Sequence, residues 1–287
     1  MKAKIKQKAT FFEALNWASL CLKEKNIPTD EAQFLLLQQM NWNLTNLLAH
    51  YRDVMELEVQ KLFVANVERL LAGEPAQYIV KKTDFYGNPI MVNPAVLIPR
   101  PETEELVDWV LQDHEEQSLK VLDLGTGSGA IAIAIKKQRP NWTVFASDIS
   151  QEALAVAQQN ADFNKVDINL IKSDLFKQIN ENNFDVIISN PPYIAENEKD
   201  YMDDNVIEYE PHVALFAKHD GLFIYEEIAK EIHNKLKNNG ELYLEIGFKQ
   251  GDLISNILKS QNPDAKVVLH QDLAENDRMI KMNLKGE

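Results

Sequence analysis

VLDLGTGSGAIAIAIKKQ, residues 121–138, is the stretch that decides the fold. VLDL is a continuous apolar run of the kind that forms a buried strand, and AIAIAIKKQ reads as a helix. Between them stand Gly125, Thr126, Gly127, Ser128 and Gly129. Glycines there let the chain turn sharply, and with no side chains the backbone can approach a ligand at a helix N-terminus.

The pattern continues in both directions from this unit. From about residue 102 onward helix and strand alternate: helix 102–116, strand 119–124, helix 129–138, strand 142–147, helix 150–163, strand 167–171 and strand 184–189. The tail adds helix 221–238, strand 240–246, helix 250–260, strand 265–270 and strand 277–283. Apolar strands alternating with helices predict a doubly wound α/β sheet, parallel and covered on both faces. The last two strands have no helix between them, which predicts an antiparallel hairpin at the sheet edge.

Upstream, apolar residues at helical spacing in about 10–25, 30–40, 43–51 and 56–72 predict a small helical bundle, with Gly73 and Pro75 ending its last helix. TDFYGNPIMVN, residues 83–93, reads as two short strands around a Gly-Asn-Pro turn. The expected domains are therefore a helical substrate-recognition domain at 1–80, a β-hairpin linker at 81–94 and a catalytic domain at 95–287.

Asp148 ends the strand TVFASD, 19 residues after Gly129. A carboxylate in that place can accept both hydrogen bonds of a ribose diol, so the expected ligand carries an adenosine half. The spacing Gly125-x-Gly127-x-x-Ala130 also fits the dinucleotide fingerprint. On the glycines alone, NAD and S-adenosylmethionine both stay open, and an NAD-dependent oxidoreductase is one reading.

Asn190-Pro191-Pro192-Tyr193 follows the strand FDVIIS directly and separates these readings. In a doubly wound sheet the strands on either side of the order reversal carry ligands beyond their carboxyl ends, so this motif should face the cofactor. A carboxamide or aromatic amine nitrogen is a poor nucleophile, because its lone pair is delocalised. If the Asn190 side-chain oxygen and the Pro191 carbonyl each accept one of its N–H hydrogens, the nitrogen is held and its lone pair can turn toward a methyl group. Tyr193 can stack on a planar target, and the prolines stiffen the turn. Hydride transfer has no use for such a motif.

Composition sets further bounds. With 287 residues, 45% hydrophobic and 26% charged, the chain is expected to be a folded protein with one large or two modest cores. No signal-peptide core or run of about 20 apolar residues is seen, so no membrane association and a cytoplasmic location are expected. Cys21 is the only cysteine and the six histidines include no His-x-x-x-His pair, so no disulfide and no metal site are expected. Residues 95–287 hold 19 Lys/Arg against 34 Asp/Glu, whereas residues 1–94 hold 11 against 10. An acidic second part suits a basic protein partner better than nucleic acid.

Five segments then resemble the HemK-type protein-(glutamine-N5) methyltransferases, which modify the Gly-Gly-Gln motif of bacterial peptide chain release factors. They are Gly73 to Tyr78, Ile98-Pro99-Arg100-Pro101-Glu102-Thr103-Glu104, Asp123 to Gly129, Asn190 to Tyr193, and Glu210-Pro211 with Ala214-Leu215. The second segment separates release-factor enzymes from the related ribosomal-protein enzymes, which tend to have Ser-Pro after the Arg. The resemblance covers nearly the whole chain and implies a class I, seven-stranded methyltransferase domain. It also implies S-adenosyl-L-methionine as methyl donor, with S-adenosyl-L-homocysteine as product.

Carried over by residue, the resemblance puts Gly125, Thr126, Gly127, Ser128, Gly129, Asp148 and Asn190 on the cofactor, with Asp174 and Leu175 beside the adenine. Several relatives have an aromatic residue after that Asp; Leu175 offers apolar contact without stacking. Asn190, Pro191, Pro192 and Tyr193 fall on the glutamine, with Asn190, Pro191 and Tyr193 as the catalytic group. Arg100 and Glu102 are expected to fix the linker over the cofactor rather than to act in catalysis.

Adenine-N6 methyltransferases share the Asn-Pro-Pro-Tyr motif, because adenine's exocyclic amine poses the same electronic problem, so the motif gives chemistry and not substrate. Glu196, Glu198, Asp200, Asp203, Asp204, Glu208 and Glu210 stand against one cation, Lys199, just beyond Tyr193. Such a segment repels nucleic acid and steers a basic protein. The expectation is a monomer whose helical domain and acidic segment grip a release factor, without direct nucleic-acid contact.

Overall fold

A computed structural model describes residues 5–115 and 118–284. The chain forms two compact units, Met1–Lys81 with Asp204–Tyr209, and Lys82–Asp203 with Glu210–Glu287.

The first unit is helical: α1 (Phe11–Lys23), α2 (Asp30–Met40), α3 (Leu44–His50), α4 (Leu57–Leu71) and a short α5 (Ala76–Val80). Thr10 starts α1 with a reciprocal cap, its hydroxyl accepting from Glu13 N at 3.2 Å while the Glu13 carboxylate accepts from Thr10 N at 2.9 Å. Leu22, Leu35, Leu36, Phe63 and Val67 are fully buried and form the core. Four helices lie where the apolar spacing predicts them. The five-residue α5 was not foreseen, being too short to show a period. Asp204–Tyr209 forms a further helical turn in this unit, and the Tyr209 hydroxyl lies 3.5 Å from the Ala72 carbonyl.

The second unit opens with a hairpin, β1 (Lys82–Phe85) and β2 (Asn88–Met91). Its turn is Tyr86-Gly87, both with positive φ, so Asn88 and Pro89 belong to β2 rather than to the turn. Two positive φ values make the tight turn whose twist matches antiparallel strands. The fully buried Asn160 anchors this hairpin: its Oδ1 accepts from Met91 N at 2.6 Å, and its Nδ2 donates to Met91 O and Ser128 O, each at 2.9 Å. Asn160→Ala leaves those backbone groups without partners and is expected to lower stability by about 1–3 kcal/mol, read by denaturant unfolding.

After the hairpin come α6 (Pro101–Asp113), β3 (Lys120–Leu124), α7 (Ala130–Gln138), β4 (Thr143–Asp148), α8 (Gln151–Asn164), β5 (Asn169–Lys172) and β6 (Phe184–Ser189). The predicted end of the α6 helix, residue 116, lies outside the described residues. β7 (Leu236–Glu245), β8 (Lys266–Gln271) and β9 (Asp277–Asn283) complete a seven-stranded sheet of order β5-β4-β3-β6-β7-β9-β8. β3, β4, β5, β6 and β7 are parallel, and β9 runs antiparallel between β7 and β8, as the missing connecting helix predicts. β3 and β6 are neighbours, so the glycine turn and the Asn190 turn leave the sheet side by side.

One helix is shorter than its pattern predicts. The helix expected over 221–238 spans Phe223–Glu231, one tighter turn follows at Ile232–Asn234, and Leu236 already pairs with Phe184. Ala229 is the last buried residue on the helix and Ile232 is buried in the turn after it, while Lys235 reaches the Ile179 carbonyl at 2.6 Å. The apolar residue one turn on, Leu236, is buried as the start of β7 rather than as a continuation of the helix.

Candidate active site

The glycine turn is folded over the end of β4. Gly125 N and Thr126 N both donate to Ser147 O at 2.8 Å, and Gly127 N donates to Asp148 Oδ2 at 2.9 Å. Gly127 has φ +53°, and a Cβ added to it meets no protein atom within 4 Å. A side chain there would project into open space beside a strained backbone, so glycine keeps the cradle empty for a ligand.

Asp148 Oδ1 accepts from Ser150 N at 2.9 Å. Burial raises its pKa, opposed by the N–H bonds from Ser150, Gly127 and Ile149. Each carboxylate oxygen keeps a further lone pair, enough to receive a diol. Beneath the turn, Asp123 is fully buried and accepts from the Thr126 hydroxyl at 2.5 Å and Ala132 N at 3.2 Å. Burial pushes this carboxyl up to about 7, opposed by those two bonds. Asp123 Oδ1 and Ser147 Oγ are buried without a partner.

A cavity joins these parts. Gly125, Thr126, Gly127, Ser128 and Asp148 line it together with Asp174, Leu175, Asn190, Pro191 and Pro192. Ile149, Leu175 and Ile131 supply apolar wall. Of the residues expected on the cofactor or the glutamine, Gly129 and Tyr193 are not on the lining. Gly129 instead starts α7 with φ +82°, against Ala157. Tyr193 packs against the hydrophobic core of the sheet, and burial, with Glu245 nearby, pushes its hydroxyl up to about 12. Asp174 Oδ2 pairs with Lys177 Nζ at 2.5 Å, and Leu175 has φ +48° with its carbonyl receiving the Ser173 hydroxyl at 2.6 Å.

Asn190 is held by residues far away in sequence. Ser189 Oγ donates to Leu124 O at 2.6 Å, which ties the end of β6 to the end of β3. Asn190 Nδ2 donates to Thr103 Oγ1 at 3.0 Å, and Thr103 Oγ1 donates to Glu245 Oε2 at 2.6 Å. Burial raises the Glu245 carboxyl to about 7, opposed by the Thr103 bond, by Arg278 and by Asn190. The amide nitrogen is thus occupied, which leaves Oδ1 as the acceptor of a residue that lines the cavity.

Tyr193 is fixed through its backbone. Its carbonyl accepts from Gln250 Nε2 at 3.0 Å, and Gln250 Oε1 accepts from Gly247 N at 3.0 Å. Gly221 lies so close that a Cβ on it would sit 2.1 Å from Tyr193 O.

Arg100 Nη2 pairs with Glu210 Oε1 at 2.5 Å, and Glu210 also accepts from Ile98 N at 3.3 Å. The pairing ties the segment before α6 to Glu210, and Arg100 also lines the cavity. The same pairing removes Glu210, only 4% exposed, from the acidic surface; Glu196, Glu198, Asp200, Asp203, Asp204 and Glu208 remain exposed.

Thr103, Glu245, Gln250 and Gly221 were not singled out from sequence. Thr103 lies within the quoted Ile98 to Glu104 segment, and Glu245 is the one acidic residue closing the apolar run LYLEIGF, a position beyond a parallel strand where ligand sites form. No sequence signal marks Gln250 or Gly221 as partners of Tyr193. Among the described residues, no three His, Cys, Asp or Glu side chains gather where they could hold a metal ion, and no helix is long and apolar enough to cross a membrane.

Residues 103–213 match a family model described as methyltransferase small domain, and residues 13–80 match one described as PrmC N-terminal domain. A release factor glutamine methyltransferase of Lactococcus lactis is 47% identical over 86% of this chain and 89% of its own length. A release factor glutamine methyltransferase of Streptococcus pneumoniae is 44% identical over 88% of this chain and 90% of its own length. The solved structure of a methyltransferase from Pyrococcus furiosus shares the fold, with a TM-score of 0.54 and 20% identity over 77% of this chain and 98% of that one.

Proposed function

The chain belongs to the release factor glutamine methyltransferases, and from that premise we propose that it methylates the side-chain nitrogen N5 of the glutamine in the Gly-Gly-Gln motif of peptide chain release factors. The observation that carries this reading is the fixed carboxamide of Asn190. Its N–H side is taken by Thr103, and the residue lines the cavity that the glycine turn builds, with Oδ1 as its acceptor.

The cavity fits S-adenosyl-L-methionine: an open glycine cradle, a carboxylate at Asp148 suited to a ribose diol, and apolar wall at Ile149 and Leu175. When bound, this group supplies a methyl carbon made electrophilic by its sulfonium. The chain's own residues prepare the nucleophile. Asn190 Oδ1 and the Pro191 carbonyl accept the two N–H hydrogens of the glutamine amide, hold its plane and aim its lone pair. Orientation of this kind can supply up to ~7–11 kcal/mol of barrier reduction. On transfer the amide nitrogen would gain the methyl group and lose one proton, and the donor would leave as its neutral thioether, S-adenosyl-L-homocysteine.

The deciding experiment incubates the protein with S-adenosylmethionine and a release factor, and reads the factor by mass spectrometry. The expected result is a gain of about 14 Da, one CH2, on a single glutamine; label entering total RNA instead would favour the adenine-N6 reading.

The acidic segment is the proposed steering element for the basic protein substrate, and the cytoplasm, where release factors act, is the proposed location. Neutralising Glu196, Asp200 and Asp203 together is expected to raise KM for the release factor about threefold to tenfold at low salt, the difference shrinking as salt is added. Steady-state assays across ionic strength check this; a salt-independent change would argue against steering.

A further inference from the structure

Resting on the reading of Asn190 as the acceptor that holds the glutamine amide, we infer that Thr103 and Glu245 are positioning residues that fix which way the Asn190 carboxamide faces. An asparagine amide has two nearly isosteric orientations, related by a half-turn about its last bond. Only one presents Oδ1 to the substrate. The other presents an NH2 group to another NH2 group, which neither accepts its hydrogens nor frees its lone pair.

What selects between them is the direction of the Thr103 hydroxyl proton, together with the Glu245 carboxylate, which itself accepts from the Asn190 amide. Thr103 Oγ1 lies 3.0 Å from Asn190 Nδ2 and 2.6 Å from Glu245 Oε2. In its ionised form, which Arg278 and the Asn190 amide favour, the Glu245 carboxylate only accepts, so the hydroxyl proton points at it. Toward Asn190 the hydroxyl then has nothing but lone pairs, and Asn190 must answer with its N–H. A flipped amide would set Oδ1 against those lone pairs. Thr103 is 5% and Glu245 2% exposed, so water is poorly placed to substitute for either partner.

The surroundings keep Glu245 in place. Arg278 from β9 lies beside it and favours its charge, while Glu102 from α6 opposes it. The Tyr225 hydroxyl, from helix Phe223–Glu231, donates to the Glu245 carbonyl at 2.8 Å and fixes the backbone. The chain of contacts joins three separate elements, the start of α6, the end of β6 and the end of β7, at the mouth of the sheet.

The test uses the full-length protein and measures methyl transfer to the release factor together with cofactor affinity. Thr103→Val keeps the side-chain shape and removes the hydroxyl; kcat is expected to fall about tenfold or more, with the cofactor Kd within about threefold of wild type. Thr103→Ser restores the hydroxyl and is expected to recover most of the rate. Glu245→Gln, whose amide can donate back to Thr103, is expected to lower kcat in the same way, and the double variant Thr103→Val with Glu245→Gln to be no slower than the worse single one. Full activity in Thr103→Val, equal impairment of Thr103→Ser, or multiplied effects in the double variant would each overturn the inference. Should Glu245→Gln fail to fold, the Val and Ser pair decides alone. The mass gain in the wild-type reaction is the control that separates this inference from the functional reading beneath it.

Discussion

Asn190→Ala is expected to lower turnover by roughly 10³-fold, the scale seen when one preorganised hydrogen-bonding group is removed from a reacting centre. Cofactor affinity should change by less than about threefold, because the glycine turn and Asp148 remain intact and are braced by Ser147 O and Ser150 N rather than by Asn190. The substrate amide loses the acceptor that holds it, and its buried N–H without a partner costs about 1–3 kcal/mol. Single-turnover rates and cofactor binding by calorimetry separate the loss of rate from any loss of cofactor affinity. A variant that still methylates at the wild-type rate would refute the assignment of Asn190, whatever its effect on binding.

Gly221→Ala is the second large effect, although the residue carries no chemistry and does not line the cavity. Its φ is +83°, and an added methyl would stand 2.1 Å from Tyr193 O and 2.7 Å from Gln250 Nε2. Neither partner can yield cheaply, because the Gln250 amide is already bonded to both Tyr193 O and Gly247 N. The Tyr193 carbonyl must therefore move by about 1 Å, carrying the Asn190 to Tyr193 turn with it. A displacement of that size in a positioned site costs about 10²-fold in rate. Activity is expected to fall by that order, and positive-φ strain adds roughly 1–2 kcal/mol of lost stability. Comparing thermal unfolding with kcat checks the claim: an active variant with only a lower Tm would show that the turn tolerates the shift.

Much of this architecture is legible without coordinates, and the reason is local. Strand VLDL, the turn Gly125 to Gly129 and the helix after it follow from apolar runs and from backbone geometry that glycine alone adopts freely. The absence of a helix between the last two strands foretells their antiparallel pairing. Asp148 and Asn190 are readable because each ends an apolar strand, and parallel strands all deliver their carboxyl ends to the same edge.

Where local pattern was silent, packing decided. The helix after Gly221 ends at Glu231, because Leu236 pairs with Phe184 at the start of β7, while the polar sequence gives no clear break. Glu210 counts as one more surface carboxylate in the sequence, but it is buried against Arg100, 110 residues away. Sequence by itself determined the sheet, the cofactor turn and the chemical type of the motif after β6, since those depend on residues adjacent in the chain. Tertiary structure alone decided which way Asn190 faces and what holds Tyr193. Thr103 lies 87 residues from Asn190 and Gln250 57 from Tyr193, and hydrogen bonds at such separations exist only once the sheet has brought its strand ends together.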